Sequence, residues 1–373
     1  MWVTHQADVG LLRVQPVKFQ IDTTTPVNIP QYPIKPEASV GIKDTIDGLL
    51  EAGVIYPTTS PWNTPVLPVL KADGQSYRMA HDLRSINVRV LEPPQAVPNP
   101  AAALSLVIPE HQWFTVIDLA NAFFCLPLSE ELQPIFAFTY SGQQYTYNRM
   151  PQGFSLTPGI FNSILKQCLQ ESPPLPDKTL LVQYVDDLLI ASHTREQCLE
   201  ASLALLQYLG KIGFLVKKTK IQLVRPRVQF LGSVISGRGS EMTASRRQTI
   251  LVHKQPVTVR DLQAFLGLIN FSRHLIPDYA SRTASLRDVM QNAGTHRPRA
   301  KLTWTEQVLT DFQEIKQSLA HAAALAKPDY AAPFWLDVSI ADNGRMANAC
   351  LYQQRQGEKH RDGCSETSAF CEH

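Results

Sequence analysis

The sequence predicts an α+β fold built on a split βαβ sheet, and three segments carry that expectation. HQWFTVID (111–118) is apolar, β-prone and ends in an acid. TPGIFNSILKQCLQ (157–170) sets Phe161, Ile164, Leu165, Cys168 and Leu169 on one helical stripe, behind Thr157 as N-cap and Pro158 at the first helical position. LLVQYVDDLLIAS (180–192) reads as two strands, 180–185 and 188–192, with Asp186 and Asp187 at the turn between them.

The remaining elements follow from local signals. Prolines crowd the first hundred residues, which predicts extended, loop-rich chain with short strands. One helix interrupts it: Ile42, Ile46, Leu49 and Leu50 share a face after Ser39, and Gly53 supplies the stop. Beyond the 180–192 hairpin, Thr194 and Gln197 form a capping box for a helix carrying Leu199, Leu203 and Leu206 and closing near Gly210. A strand from Val228 to Ile235 completes the order β, α, β, β, α, β. A second capping box, Thr258 and Asp261, opens a helix with Leu262, Phe265, Leu266 and Ile269 on its apolar face, ended by Pro277. Residues 301–325 predict another amphipathic helix and 333–340 a strand.

Composition bounds the function classes. With 373 residues, 44% apolar and 18% charged, the chain has material for two or three folded units and no disordered low-complexity tract. Its start, MWVTHQADVG, lacks a basic region followed by an apolar one, and no apolar run is long enough to span a bilayer. The expectation is a soluble cytoplasmic protein with no membrane partner. Six scattered cysteines without a CxxC pair predict reduced thiols, and His360, Cys364, Cys371 and His373 match no zinc spacing. Net charge is only +2, yet residues 205–260 hold eleven basic side chains against one acid, Glu241. A charge run alone most often marks a solvated surface, but this asymmetry also fits a polyanion partner.

Topology gives the acids a purpose. A right-handed βαβ crossover makes the first two strands parallel and sets the hairpin's return strand between them. Asp118, at the end of the first strand, is thereby expected beside Asp186 and Asp187. An isolated Asp-Asp pair is usually a turn. Three converging carboxylates instead repel, and a multivalent cation relieves that repulsion. Hard oxygen ligands suit Mg²⁺, and two such ions suit in-line displacement at phosphorus.

Seven blocks, in order, carry a family resemblance: SPWNTPVLPVLK (60–71), YRMAHDLRSIN (77–87), TVIDLANAFFCLPL (115–128), MPQGF (150–154), YVDD (184–187), FLG (230–232) and LQAFLGLINFSRHLIPDYA (262–280). The chain resembles retroviral reverse transcriptases of the gammaretrovirus type, typified by murine leukaemia virus and related endogenous elements. The resemblance covers about residues 25–350. It implies a right-hand polymerase with a ferredoxin-like palm, fingers, helical thumb and truncated connection domain. The implied segments are 1–92 (N-terminal extension and fingers), 93–128 (palm), 129–155 (fingers), 156–237 (palm), 238–297 (thumb), 298–358 (partial connection domain) and 359–373 (divergent tail), with the ribonuclease H domain absent.

The same resemblance implies an RNA-directed DNA polymerase core and assigns roles. Asp118, Asp186 and Asp187 would be catalytic and hold two Mg²⁺ ions, with Mn²⁺ as a substitute. Lys71, Arg78, Phe123 and Gln152 would bind the incoming deoxynucleoside triphosphate, Phe123 by excluding a 2′-hydroxyl. Tyr184, Phe230, Leu231 and Gly232 would meet the primer on an RNA or DNA template. The sequence around Gln152 departs from the family: FSLTPGIFN stands where KNSPTLF is usual. Two other readings keep the acids: a catalytically weak endogenous-retrovirus remnant that binds nucleic acid, and a two-metal nuclease or phosphohydrolase. The second leaves the Lys71, Arg78 and Gln152 blocks without a role.

Overall fold

Proline crowding leaves the first hundred residues one long helix, and the regular structure thickens after it. In the computed structural model the described residues are 2–3, 8–71, 73–93, 95, 100–270, 272–273, 279–320, 333–341, 346–355, 358–361 and 367–369. They divide into two units: 1–106 with 114–225, and 107–113 with 226–373.

The first unit begins with α1 (Pro36–Glu51), β1 (Ile55–Pro57), and the hairpin β2 (Val66–Leu70) and β3 (Tyr77–His81). Helix α1 starts three residues before the expected Ser39, because Pro36 presets the helical φ and lacks only an N–H that would have no partner there. It ends as predicted, with Gly53 at φ +64°. Two short helices, α2 (Arg84–Asn87) and α3 (Pro100–Ser105), precede β4 (Trp113–Asp118). Next come 3₁₀ turns at Ala122–Cys125 and Glu130–Phe136, then β5 (Phe138–Tyr140) and β6 (Gln143–Tyr147), which form the sheet β1-β6-β5.

Helix α4 (Thr157–Gln170) buries Phe161 and Leu165 as expected. Thr157 is its first residue, not its cap: Leu156 is already helical, and the Thr157 hydroxyl donates instead to the Pro151 carbonyl (3.1 Å). Strands β7 (Thr179–Tyr184) and β8 (Asp187–Ser192) form the predicted hairpin, but its turn is Val185–Asp186. Asp187 opens the return strand, opposite Tyr184. Helix α5 (Arg195–Ile212) has the predicted Thr194/Gln197 capping box and ends at Gly213 (φ +107°) rather than Gly210. Its buried face is Cys198, Ala201, Ser202, Leu205, Leu206 and Leu209, while Leu203 points outward.

The last strand of this sheet is β9 (Gln222–Arg225), not 228–235. The order is β7-β8-β4-β9, with β8 between the parallel pair as the crossover rule requires. The inner positions of β4 and almost all of β8 are buried, as befits central strands. At β4–β9 the register shifts between Phe114↔Arg225 and Val116↔Gln222, a bulge in which Val224 takes φ +48°. Its N–H, lost to the ladder, donates to Thr115 Oγ1 (2.9 Å), which also lies 2.8 Å from Ser202 Oγ on α5.

The N-terminal segment straps this unit together. Val3 N–H donates to Val216 O (3.1 Å) and Leu12 N–H to Cys125 O (3.0 Å). Between these contacts Gly10 and Gly213 meet backbone to backbone: a Cβ on Gly10 would lie 2.1 Å from Gly213 O, and one on Gly213 would lie 2.0 Å from Leu11 O.

In the second unit, β10 (Arg227–Phe230), β11 (Ser233–Ser236) and β12 (Gly239–Met242) form an antiparallel sheet. The expected single strand 228–235 is therefore a hairpin. Leu231 (φ +47°) and Gly232 (φ +73°) make its two-residue turn, with the paired positive φ values of a type I′ connection. Helices α6 (Ala244–Leu251), α7 (Val259–Asn270), α8 (Tyr279–Arg282), α9 (Ala284–Ala293) and α10 (Glu306–Ala320) share a core of Ile250, Leu262, Phe265, Leu286, Phe312 and Leu319, among others. The Thr258/Asp261 box is present: Thr258 N–H donates to Asp261 Oδ2 (2.9 Å) and Asp261 N–H to Thr258 Oγ1 (3.3 Å). Pro277 and the tail cysteines and His373 lie outside the described residues. Strands β13 (Trp335–Ala341), β14 (Met346–Arg355), β15 (Glu358–Arg361) and β16 (Thr367–Ala369) pair in a final sheet around β14. Among the described residues no helix is long and apolar enough to cross a membrane.

The strap contact predicts opposite effects of one substitution at two glycines. Gly10→Ala forces backbone apart and should destabilise the first unit by about 1–3 kcal/mol. Gly267→Ala, on α7 with nothing within 4 Å of the new methyl, should stabilise the second by roughly 0.5–1 kcal/mol. Urea midpoints followed by circular dichroism measure both.

Candidate active site

Strand pairing delivers the acids to one rim. Asp118 is the last residue of β4, and the backbone N–H of Leu119 donates to the carbonyl of Asp186 at the hairpin tip (3.2 Å). Asp187 begins β8, the strand beside β4. All three carboxylates are half-buried. The tip itself is strained: Val185 takes φ +52°, where a β-branched side chain is disfavoured.

A cavity of about 190 Å³ opens at this rim, lined by Asp118, the 119–122 backbone loop, Phe123, Gln152, Asp186, Lys217 and Lys220. Phe123 lies edge-to-face on Phe161 of α4 (5.6 Å), which holds its ring at the wall. Gln152 is exposed, in the turn that Gly153 (φ +91°) completes. Of the expected nucleotide residues, the structure thus joins Phe123 and Gln152 to Asp118 and Asp186. Lys71 and Arg78 do not line this cavity. They sit exposed on the β2–β3 hairpin, where Val69 faces Arg78 and Lys71 N–H donates to Ser76 O (2.8 Å). Tyr184 faces Asp187 across β7–β8. Phe230 is buried in its own unit, leaving Leu231 and Gly232 as the accessible part of the FLG turn.

Sequence reasoning missed Lys220 as a member of the site. Its Nζ lies 2.6 Å from Asp118 Oδ2, with both side chains partly exposed. Lys220 closes the 217–220 turn, its N–H donating to Lys217 O (3.0 Å), just before β9 begins. On the other side of that turn Leu119 bridges Val216 and Ala120 N–H donates to Leu215 O (2.8 Å), so the stretch carrying Lys220 is tied beside the end of β4. No sequence signal marks this lysine among its basic neighbours.

Electrostatics in the site follow burial first and repulsion second. Burial raises the Asp187 carboxyl to about 6, with Asp186 and Asp118 adding like-charge repulsion and Lys220 opposing it. Asp186 is raised for the same leading reason, against its own backbone hydrogen bond. Among the described residues no three His, Cys, Asp or Glu side chains stand in finished metal-holding geometry. The donor chemistry nevertheless fits a hard divalent cation: three carboxylates in mutual electrostatic reach, the rest of a shell being completed by water or phosphate oxygens. Asp118 is the one already engaged by a cation, the Lys220 ammonium.

A raised acid destabilises the fold where it is ionised. Below about pH 4, Asp187 is protonated folded and unfolded alike and has no effect. Between pH 4 and 6 the folded state holds the extra proton, so the cost grows as pH rises and is complete above 6. Asp187→Asn should therefore raise metal-free stability at pH 7.5 by about 1–2 kcal/mol, allowing for solvent screening of a half-exposed group, and the gain should vanish near pH 4. Melting curves across that range, with chelator present, measure it.

Comparison with known proteins bears on family and fold. Residues 69–235 match the family described as reverse transcriptase (RNA-dependent DNA polymerase). The Gag-Pol polyproteins of koala retrovirus and gibbon ape leukemia virus are each 39% identical to the chain, over 90% and 94% of it. That of walleye dermal sarcoma virus is 35% identical over 93%. The chain spans about a fifth of the length of these relatives, 20%, 21% and 20% in that order. Among solved structures, foamy viral protease–reverse transcriptase in complex with double-stranded DNA superposes with a TM-score of 0.86 at 28% identity, covering 99% of this chain and 62% of that one. The same viral protein with an RNA/DNA hybrid gives 0.85 at 27%, covering 99% and 48%. The α+β architecture is thus that of a right-hand polymerase, and the chain belongs to the retroviral reverse transcriptase family.

Proposed function

We propose that the chain is an RNA-directed DNA polymerase core that adds deoxynucleotides to a primer 3′-hydroxyl. The observation that carries this reading is the meeting of Asp118, Asp186, Phe123 and Gln152 around one cavity at the end of β4, with Asp187 adjoining. In the segmental terms of the family, 1–92 and 129–155 serve as fingers, 93–128 and 156–237 as palm, 238–297 as thumb and 298–358 as the start of a connection domain. Template and primer, as RNA/DNA hybrid or DNA duplex, are the partners; the foamy viral neighbours bound to both duplexes support this.

Asp118, Asp186 and Asp187 hold the divalent cations, two Mg²⁺ or in substitution Mn²⁺. When bound, these ions supply Lewis-acid activation of the attacking hydroxyl and charge neutralisation at the leaving oxygen. The chain's residues do the positioning. The primer oxygen attacks the α-phosphorus, the bond to pyrophosphate breaks, and the hydroxyl proton passes to solvent water. Lys71 and Arg78, on the exposed β2–β3 hairpin, meet the triphosphate with charge-assisted bonds. The Phe123 ring, buttressed by Phe161, closes the cavity wall where a ribose 2′-hydroxyl would project. The Leu231–Gly232 turn, protruding from its sheet, is the part of the FLG segment that touches primer. Residues 205–260, with their excess of Lys and Arg, engage phosphates without reading sequence.

Asp186→Asn should lower Mg²⁺-dependent extension of a primed homopolymer RNA by at least about a hundredfold while leaving circular dichroism unchanged and the melting midpoint no lower than that of the wild type. Extension retained by this variant refutes the assignment. Phe123→Val should raise incorporation of ribonucleotides relative to deoxynucleotides by roughly tenfold or more, read from gel-resolved single additions.

A further inference from the structure

We propose that Lys220 is the resident counter-cation of the carboxylate site, an internal ammonium that occupies Asp118 in the metal-free protein and is displaced when a divalent ion binds. This rests on the reading that Asp118, Asp186 and Asp187 hold the metal.

Three observations meet on this lysine. It closes the 217–220 turn, which the Leu119↔Val216 bridge on one side and the Val116↔Gln222 pair on the other tie to the end of β4. Its Nζ stands 2.6 Å from Asp118 Oδ2. It also lines the cavity that Asp118 and Asp186 line, and its charge reaches both Asp186 and Asp187. Lys217 lines the same cavity, but Lys220 makes the ion pair.

The physical consequence is competition. Three carboxylates at one rim repel, and a protein that folds before loading metal needs some positive charge among them. A lysine supplies it as a point charge on a four-carbon stem that can swing away. The Lys220 side chain is 55% exposed and that of Asp118 28%, so the pair is solvated enough to be weak and replaceable. A divalent ion carries twice the charge and accepts several oxygens at once, so it outcompetes the ammonium yet gives up part of its affinity to do so. The site stays intact when empty, and its metal affinity is held below what three carboxylates alone would give.

The test reads metal binding directly, without turnover. Free Mn²⁺ is followed by electron paramagnetic resonance as it is titrated into the full chain, for the wild type and for Lys220→Met, Lys220→Gln and Lys220→Arg. Met and Gln should each tighten the Mn²⁺ dissociation constant by about three- to tenfold, as expected for removing one neighbouring charge in a high-dielectric site. Arg should restore the wild-type value. Metal-free melting temperature should fall in Met and Gln, and the rise on adding Mn²⁺ should exceed that of the wild type. Equal or weaker binding by both neutral variants overturns the proposal, as does the absence of saturable binding in all four proteins. Asp118→Asn and Asp186→Asn separate the two levels of the argument. Binding that survives both refutes the carboxylate assignment itself, whereas binding lost in both but unmoved in the Lys220 variants refutes only the role given to the lysine.

Discussion

Like charges held at one rim by a buried sheet are the constraint on which the rest of this structure depends. Strands β8 and β4 are buried along most of their length, so neither can slide or rotate to move its terminal acid away. The hydrogen bond from Leu119 N–H to Asp186 O fixes strand end against hairpin tip at the backbone level, independently of what the carboxylates prefer. Repulsion is therefore imposed by packing. Hydrophobic burial of Phe114, Ile117, Leu188 and Ile190, each worth about 1.5–3 kcal/mol, outweighs it comfortably.

Supporting elements act on the same rim from different directions. Helix α4 presents Phe161, which meets both Phe123 on the cavity wall and Phe214 at the end of α5. The strap at Gly10 and Gly213 leads directly into 214–220, the stretch that ends at Lys220. The bulge at Val224, satisfied by Thr115, interrupts regular β4–β9 pairing, and the Leu119↔Val216 bridge holds the 214–220 stretch to the active end of β4. Aromatic packing, backbone contact and one buried hydroxyl thus converge on a few residues that carry charge.

Much of this was legible in the amino-acid order. Apolar strands flanking YVDD, the Thr157–Gln170 stripe and the crossover rule were enough to bring Asp118 beside Asp186. The Thr194/Gln197 box was read correctly because its chemistry is local. Errors came where a decision was non-local. The strand at 222–225 is short, carries an arginine and a bulge, and is outshone by the more apolar 228–235, which is a hairpin of the other unit. Lys220 is invisible to composition, because a lysine in a basic stretch looks like surface until the fold sets its ammonium beside Asp118. Similarly, Asp187 reads as a turn residue, and only the pairing with Tyr184 shows it to be the first residue of a strand.

Val185 shows how the hairpin tip reconciles these demands. A two-residue turn with φ > 0 at its first central position favours glycine, yet valine stands there at φ +52°, a conformation costing of order 1–3 kcal/mol. The six-pair ladder from Thr179↔Ser192 to Tyr184↔Asp187 over-determines the geometry and sustains it. Glycine would remove the strain but also the stiffness, since it multiplies the conformations open to the neighbouring peptide. With valine, the Asp186 carbonyl keeps its place to accept from Leu119, and Asp186 and Asp187 enter the rim from successive residues at fixed angles. A site whose ligands repel one another cannot rely on those ligands to find their own positions. The backbone has to hold them there, and the strain at Val185 is where that requirement is visible.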